Sequence, residues 1–470
     1  MITMKKYKII LIVFSILILV SCEDRLDVLP EDNVASNTVF NSRATIEGAV
    51  VGMYSKLQSG DLNGMSQLIS DYMADNVSFV GSFPSLQEVD QFATLATNTS
   101  IDNIWLDGYE AIAASNNIII NLPEVDLLSV SDEEKAQFIA EAKFVRAWSH
   151  FHLVNLFAQP YQFSNGSNLG VPLVLDFFTG DIGAFQLERS TVNQVFAQVE
   201  QDLTEAIIDL PVSNGSRAEK GSAEALLARL YLYQEDWANA ANAANNVISS
   251  SEYSLASSYD FYDNNPTSSE HVFVIVNTPT DGPQEPAGSD EVYVNFYNAA
   301  PGGRGDAPFS QDLIDLFALT PGDKRFTDLS VAASDAGGNN TFFTTKYPDV
   351  VNNASDGMAL RVTEMYLIRA EANFRAGTSV GDTPLNDINT LRSRAGLTDL
   401  GSLTLDAILL ERRKELAFEG HRRMDLLRNN LNLKPGGGAQ SAPGADKVIF
   451  PIPDDEITNN PNITQNPGNF

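Results

Sequence analysis

What most limits the fold of this chain is a series of long segments whose apolar residues return every three or four positions, each segment closed by a proline or a short turn. That rhythm marks one buried face of a helix, since side chains three and four apart lie on the same side. In 131–158, Phe138, Ala142, Val145 and the Phe151/His152 pair follow it, Asp132, Glu133 and Glu134 fill the first turn, and Pro160 stands just beyond the end. A second helix is expected over 191–210, ahead of Pro211. A third, 222–234, turns at Glu235-Asp236 into the alanine-rich run 237–248, which makes a helical hairpin. The pattern returns in 361–376, a Gly/Thr/Ser turn, 384–395 and 403–429.

Three of these segments place an aromatic six positions after an apolar residue: Val145 and Phe151, Leu227 and Tyr233, Ile368 and Phe374. Similar spacing occurs in tetratricopeptide helix pairs. The copies do not recur at that family's ~34-residue period, and ordinary helix packing accounts for them equally well. From 249 to about 345 the chain turns rich in Gly, Pro, Asn, Asp and Ser, broken by short β-prone runs at 271–276 and 292–297. Its aromatics, among them Tyr253, Tyr259, Phe261 and Tyr262, argue for order, because disordered segments lack them. The expected fold is therefore mainly α, a tetratricopeptide-like helical-hairpin scaffold over about 40–250 and 360–430. A loop-rich, partly β insertion would occupy about 250–350, and the apolar residues 448–452 should pack the tail 431–470 back on the helices.

Thirty basic against sixty-one acidic side chains leave a formal charge of −31, a field that repels a phosphate backbone and excludes nucleic acid as a partner. One cysteine and four histidines rule out a disulfide framework or thiolate metal cluster and leave few metal ligands or general bases. The cysteine has another use. Lys5, Lys6 and Lys8 precede an apolar run over 9–20, and Leu19-Val20-Ser21-Cys22 looks like a bacterial lipobox. Residues 1–21 then form a lipoprotein signal peptide, 22–470 the mature chain, and acylated Cys22 its membrane anchor. Glu23 and Asp24 resemble a surface-export signal.

Catalytic strings are few and poorly placed. Gly377-Thr378-Ser379-Val380-Gly381 fits a nucleophile elbow by letter, but such a serine needs a strand before it, and here a helix precedes. Arg304-Gly305-Asp306 is a short coincidence in a glycine-rich loop. The acidic loop 281–291 could hold calcium, although a solvated loop explains it as well. His150 and His152, two apart on a helix, face different ways and are not a metal pair. The densest charge cluster, Glu411 to Glu415 with Glu419, His421, Arg422, Arg423, Asp425 and Arg428, sets opposite charges three and four apart. A helix braced by local ion pairs is expected there, with a structural role, because catalytic acids favour apolar pockets over company with arginines.

This cluster, Glu411-Arg-Arg-Lys-Glu-Leu-Ala-Phe-Glu-Gly-His-Arg-Arg-Met-Asp-Leu-Leu-Arg428, closely resembles the signature helix of the SusD/RagB family of surface lipoproteins. Phe450-Pro-Ile-Pro-Asp-Asp-Glu-Ile457 with Gln465-Asn-Pro-Gly468 resembles that family's ending, and further matches run from Trp105 through Lys220 and Glu364 to Ile388. Arg423 and Met424 depart from the aromatics that the family often has there. The resemblance implies a non-catalytic lid on a SusC-like TonB-dependent barrel in the outer membrane, lipid-anchored and surface-exposed. Such a lid binds an oligosaccharide or, in the RagB branch, a peptide, without a cofactor. A surface glycoside hydrolase is the alternative of a different class. The quoted motifs are scaffold residues in that family, so ligand contacts have to be sought by chemistry.

Sugars stack their CH-rich faces on aromatic rings and offer hydroxyls to Asn, Asp, Gln and Arg. Trp105, Trp148 and Trp237 all fall in expected scaffold helices, which leaves Tyr and Phe as platforms. Tyr293, Phe296, Tyr297, Asn298 and Arg304 in the insertion are candidates, as are Phe83 and Gln87, which with Phe79 lie in an early loop able to face it. Burial in a small satellite core competes with ligand contact at each. On the ligand reading, at least one of the three insertion rings should be solvent-accessible, and in a strand Tyr293 and Tyr297 would share one face with Phe296 on the other.

Overall fold

The computed structural model describes residues 39–178, 182–263, 266–282, 293–299 and 301–469. The signal segment, Cys22 and most of the acidic loop 281–291 lie outside the described residues. In chain order the helices are α1 (Arg43–Leu57), α2 (Ser66–Tyr72), α3 (Pro84–Asp90), α4 (Thr99–Asn121), α5 (Asp132–Phe157), α6 (Val192–Asp209), α7 (Lys220–Gln234) and α8 (Trp237–Ser249). After strand β1 (His271–Ile275) come α9 (Tyr293–Tyr297), α10 (Gln311–Ala318), the hairpin β2 (Ser330–Ser334) and β3 (Asn340–Thr344), and β4 (Gly357–Arg361). Then follow α11 (Val362–Ala376), α12 (Pro384–Arg394), α13 (Leu405–Glu415) and α14 (Arg422–Arg428).

The helix ends are written locally. Ser131 accepts the Glu134 N–H while the Glu134 carboxylate accepts the Ser131 N–H, a reciprocal cap that starts α5. Thr191 and Gln194 do the same for α6. Glu235, at φ 61°, makes the left-handed turn between α7 and α8, and Gly377, at φ 67°, closes α11, so the Gly377-to-Gly381 string is a helix-ending turn. The long helices then pack in sequence, α4 on α5, α5 on α6, α6 on α7, α7 on α8 and α8 on α11. This is a tetratricopeptide-like array. Flanked on both sides, α5 buries Phe144, Val145, Trp148, Phe151, Leu153 and Phe157 around most of its circumference.

Strand β1 pairs antiparallel with β4 across the whole insertion. A satellite core of Tyr259, Phe261, Tyr262, Val274, Leu329 and Met358 sits beside it. Residues 431–469 run back over the scaffold, where the Phe450 N–H donates to the Leu156 carbonyl at 3.1 Å and Asn466 Nδ2 to the Phe157 carbonyl at 2.8 Å.

Two expectations are corrected here. The run 403–429 is not one helix: α13 ends at Glu415, and α14 begins only after a link in which Phe418 and Gly420 take φ 67° and 74°. A Cβ on Gly420 would stand 2.9 Å from the Gln67 Cα, so only glycine admits this approach. Nor do the charges of this stretch pair mainly with their neighbours. Glu415 meets Arg394 at 2.6 Å and Arg361 at 3.2 Å, Glu419 meets Arg361 at 2.9 Å, and Arg428 meets Glu371 at 2.6 Å. Local pairing brings together only side chains on one exposed helix face, whereas these are buried where α13, α14, β4 and α11 converge. Arg423 is wholly buried and donates to the carbonyls of Val448 and Asn155, tying α14 to the tail.

Removing one member of such a cluster strands a buried charge. Glu415→Ala is expected to cost about 3–5 kcal/mol, read as a lowered unfolding midpoint in denaturant; an unchanged midpoint would refute a structural role for the cluster. Stability should also depend on acid. Burial by itself would raise the Glu364 and Glu415 carboxyls from 4.5, but Arg229 beside the first and Arg394, Arg361 and Arg325 beside the second hold both at about 2. Burial pushes His150 down to about 3, and His152 and His421 to about 4, from 6.5. In both classes the unfolded chain takes up protons before the folded one, so stability is lost as pH falls through these windows. Asp71, raised by burial to about 7, acts in the opposite sense between 7 and its ordinary 3.8. The unfolding midpoint should therefore decline below about pH 6.5, where the histidines titrate in the unfolded chain, and more steeply below 4.5; a flat profile from pH 6.5 to 3 would contradict these assignments.

Candidate functional site

The segment between α2 and α3 runs alongside the end of the insertion. The Ser78 N–H donates to the Pro308 carbonyl and the Val80 N–H to the Asp306 carbonyl, both at 3.0 Å, and Val77 bridges Phe309. The early loop thus does face the insertion. Gly81 lies so close that a Cβ there would meet the Asp306 carboxyl at 2.6 Å. Phe79 stacks tilted on the buried Tyr72 ring, centroids 4.7 Å apart, and Pro84 then opens α3 with Phe83 as its cap residue. Gln87 Nε2 donates to the Gly81 carbonyl at 3.3 Å and braces the loop from within α3.

On the facing side the chain after α9 turns back on itself. The Arg304 N–H donates to the Asn295 carbonyl and the Gly305 N–H to the Asn298 carbonyl. Gly303 packs onto that same carbonyl, with room for no side chain, and Gly305 takes φ 74°. This bend lets two side chains only two residues apart meet: Arg304 Nε donates to Asp306 Oδ2 at 2.7 Å. The Arg304-Gly305-Asp306 string is therefore a folded unit, with a buried carboxylate gripping a partly exposed guanidinium. That guanidinium lies over two rings, 4.9 Å from the Phe296 centroid and 5.6 Å from that of Phe83, and the rings themselves meet edge to face at 6.0 Å. Among the described residues the Arg304 side chain makes no other hydrogen bond, so its terminal amino groups are donors held in place and unspent.

Of the residues singled out from the sequence, Phe83, Phe296 and Arg304 come together, with Gln87 close behind them in α3. Tyr293, Tyr297 and Asn298 do not join them. The expectation of an exposed ring on 293–297 is overturned: Tyr293 is 1% exposed, and Phe296 and Tyr297 are fully buried. The segment is also a helix and not a strand, so all three rings turn into the main core. Tyr293 Oη donates to the Ser355 carbonyl and Tyr297 Oη to Asp71 Oδ2, each at 2.6 Å, and burial holds both phenols above their ordinary pKa. Asn298 spends its amide on the carbonyls of Val294 and Tyr347. The half-buried Phe83, Phe79 and Arg304 are left as the accessible groups, beside the exposed Val80. Sequence reasoning missed the buried Asp306 that organises them. Its signal was the Gly303 and Gly305 pair around Arg304, which announces a tight turn.

The chain matches two family models, one described as "Starch-binding associating with outer membrane" over residues 24–232 and the other as "SusD family" over residues 333–468. A SusD-like protein of Formosa agariphila is 28% identical over 99% of this chain and 100% of its own length. A SusD superfamily protein from Bacteroides thetaiotaomicron superposes with a TM-score of 0.81 at 26% identity, over 92% of this chain and 100% of that one. A laminarin-binding SusD-like protein superposes with a TM-score of 0.73 at 25% identity, over 91% and 99%. Since both halves meet models of one family and these relatives run the length of the chain, the protein belongs to the SusD family of non-catalytic binding proteins.

Proposed function

We propose that the protein captures an oligosaccharide at the Phe83–Arg304 patch and passes it to a SusC-like TonB-dependent barrel in the outer membrane. The observation that carries this reading is the Arg304 guanidinium, clamped by Asp306 and laid over two aromatic rings, with its outer donors unspent among the described residues. A donor already fixed in place loses little freedom on binding, and a ring edge beside it suits the mixed CH and hydroxyl surface of a sugar. The starch-binding description of one family model and the laminarin-binding relative support the same ligand class. Delivery to a barrel rests on the family resemblance of the signature stretch 411–428 and of the tail. A RagB-like peptide ligand is the second reading, and the outer amino groups of the guanidinium suit a peptide carboxylate as well.

Laminarihexaose, maltohexaose and a mixed peptide pool, titrated calorimetrically, separate these. Arg304→Gln, which leaves Asp306 an amide donor, should weaken binding of the cognate ligand by about 1.5–3 kcal/mol, roughly ten- to hundred-fold. Phe83→Ala should do likewise, with the melting temperature followed as a control for folding. Wild-type affinity in both variants would remove the ligand from this patch, and binding of peptides alone would reassign its class.

The anchor is proposed to be the lipid on Cys22. Among the described residues no helix is long and apolar enough to cross a membrane. Cys22→Ala should therefore shift the protein from the outer-membrane fraction to the soluble one, and retention through a carbonate wash would exclude the lipid anchor.

A further inference from the structure

We infer that the protein carries a second, smaller sugar pocket, formed between the loop after α5 and the C-terminal tail and sized for a single sugar ring; the choice of ligand class rests on the carbohydrate reading above. The loop closes α5 with the short turn Tyr161–Phe163, and Phe163 is 54% exposed, with Leu169 nearby at 46%. A cavity of about 160 Å3 opens beside them, walled by Gln159 and Arg189 on one side and by Asp446 of the tail on the other. Gly444, at φ 78°, brings the tail backbone against the ring, so close that a Cβ there would stand 3.0 Å from it.

The polar groups around this apolar floor are incompletely used. Gln159 Nε2 donates to the Ala445 carbonyl at 2.9 Å, which fixes the orientation of the amide and leaves its Oε1 buried without a partner. A donor entering the cavity would satisfy it. Arg189, nine-tenths buried, is held by carbonyls, at 2.7 Å by Gly170 and 3.0 Å by Thr464, and by two longer contacts. No carboxylate pairs with it among the described residues, and burial lowers its pKa to about 10. Asp446 is exposed at the rim and takes part in no hydrogen bond or ion pair among the described residues.

An occupant must therefore offer donors to Gln159 Oε1 and Asp446, an acceptor toward Arg189, and an apolar face to Phe163. A phosphate or sulfate would set its oxygens against two acceptors, and an aliphatic group would leave Gln159 unsatisfied. A pyranose has an apolar face rimmed by hydroxyls that both donate and accept, and meets all four demands.

The test uses the full mature chain with laminarihexaose and maltohexaose as probes. In a Phe83→Ala/Arg304→Gln background, weak residual binding should persist. Adding Phe163→Ala, or separately Asp446→Asn, should weaken that residue about ten-fold while leaving the melting temperature in place, because both side chains are exposed. Absence of residual binding, or residual binding indifferent to both substitutions, overturns the second pocket and leaves the Arg304 reading standing. Loss on Phe163→Ala with no effect of Arg304→Gln does the reverse. Failure of the wild-type protein to bind either sugar overturns the second sugar pocket and the carbohydrate reading of the Arg304 patch.

Discussion

Arg361 stands at the junction of β4 and α11, and its guanidinium reaches three carboxylates from distant parts of the chain: Glu270 before β1, Glu415 at the end of α13, and Glu419 in the link to α14. Arg394 of α12 bridges two of these again, and Lys346, between β3 and β4, donates to Glu419 and to the Glu415 and Ala417 carbonyls. The Tyr259 and Tyr262 hydroxyls add donors at Glu415 and Glu419, which joins the satellite core to the same cluster. Ions this deeply buried repay their desolvation only through close pairing and added hydrogen bonds, and here these cover the carboxylates from several sides, with Arg394 Nε left without a partner among the described residues. The cluster therefore fixes how insertion, helical array and signature stretch meet. The link 416–421 can hold Phe418 at φ 67° only because the interactions on both flanks over-determine it.

The Phe83–Arg304 patch inherits its geometry from that assembly. Phe418 packs on Phe309 at 4.4 Å and on Tyr297 at 6.1 Å, and Tyr297 in turn bonds Asp71 of α2. These contacts set the insertion beside the segment that follows α2, where backbone hydrogen bonds from Ser78 and Val80 complete the seam and bring Phe83 under Arg304. Rigid elements thus present a charged donor on a short turn, the arrangement that costs a binding site least in lost freedom. The tail acts similarly on the other flank. Arg423 holds it at Val448, and that placement creates the cavity beside Phe163.

Helices α5 to α8 and α11 were legible in the sequence to within a residue or two, because caps such as Ser131 with Glu134, stops such as Pro160 and Pro211, and the three-to-four-residue period all act within one turn of the chain. The 411–428 stretch was legible as a structural signature, yet its pairing was not. Side chains three and four apart suggest partners only on an exposed surface, and these are buried. The run 292–297 misled for a related reason: aromatic and β-branched residues favour a strand in isolation, but here five residues wind into a helix whose every side chain is buried.

By itself, then, the sequence determined the helical class, the ends of α5 to α8 and α11, and the family resemblance, all of which rest on local order. Only the tertiary structure decided that Arg304 lies over Phe83 and Phe296, that Tyr293 and Tyr297 are core, and that Glu270 joins Glu415 across the fold. Apart from Arg304 over Phe296, those facts depend on contacts between residues from about twenty to more than two hundred positions apart. No local pattern encodes which buried charge or ring will find which partner, because the choice is made by the packing of the whole.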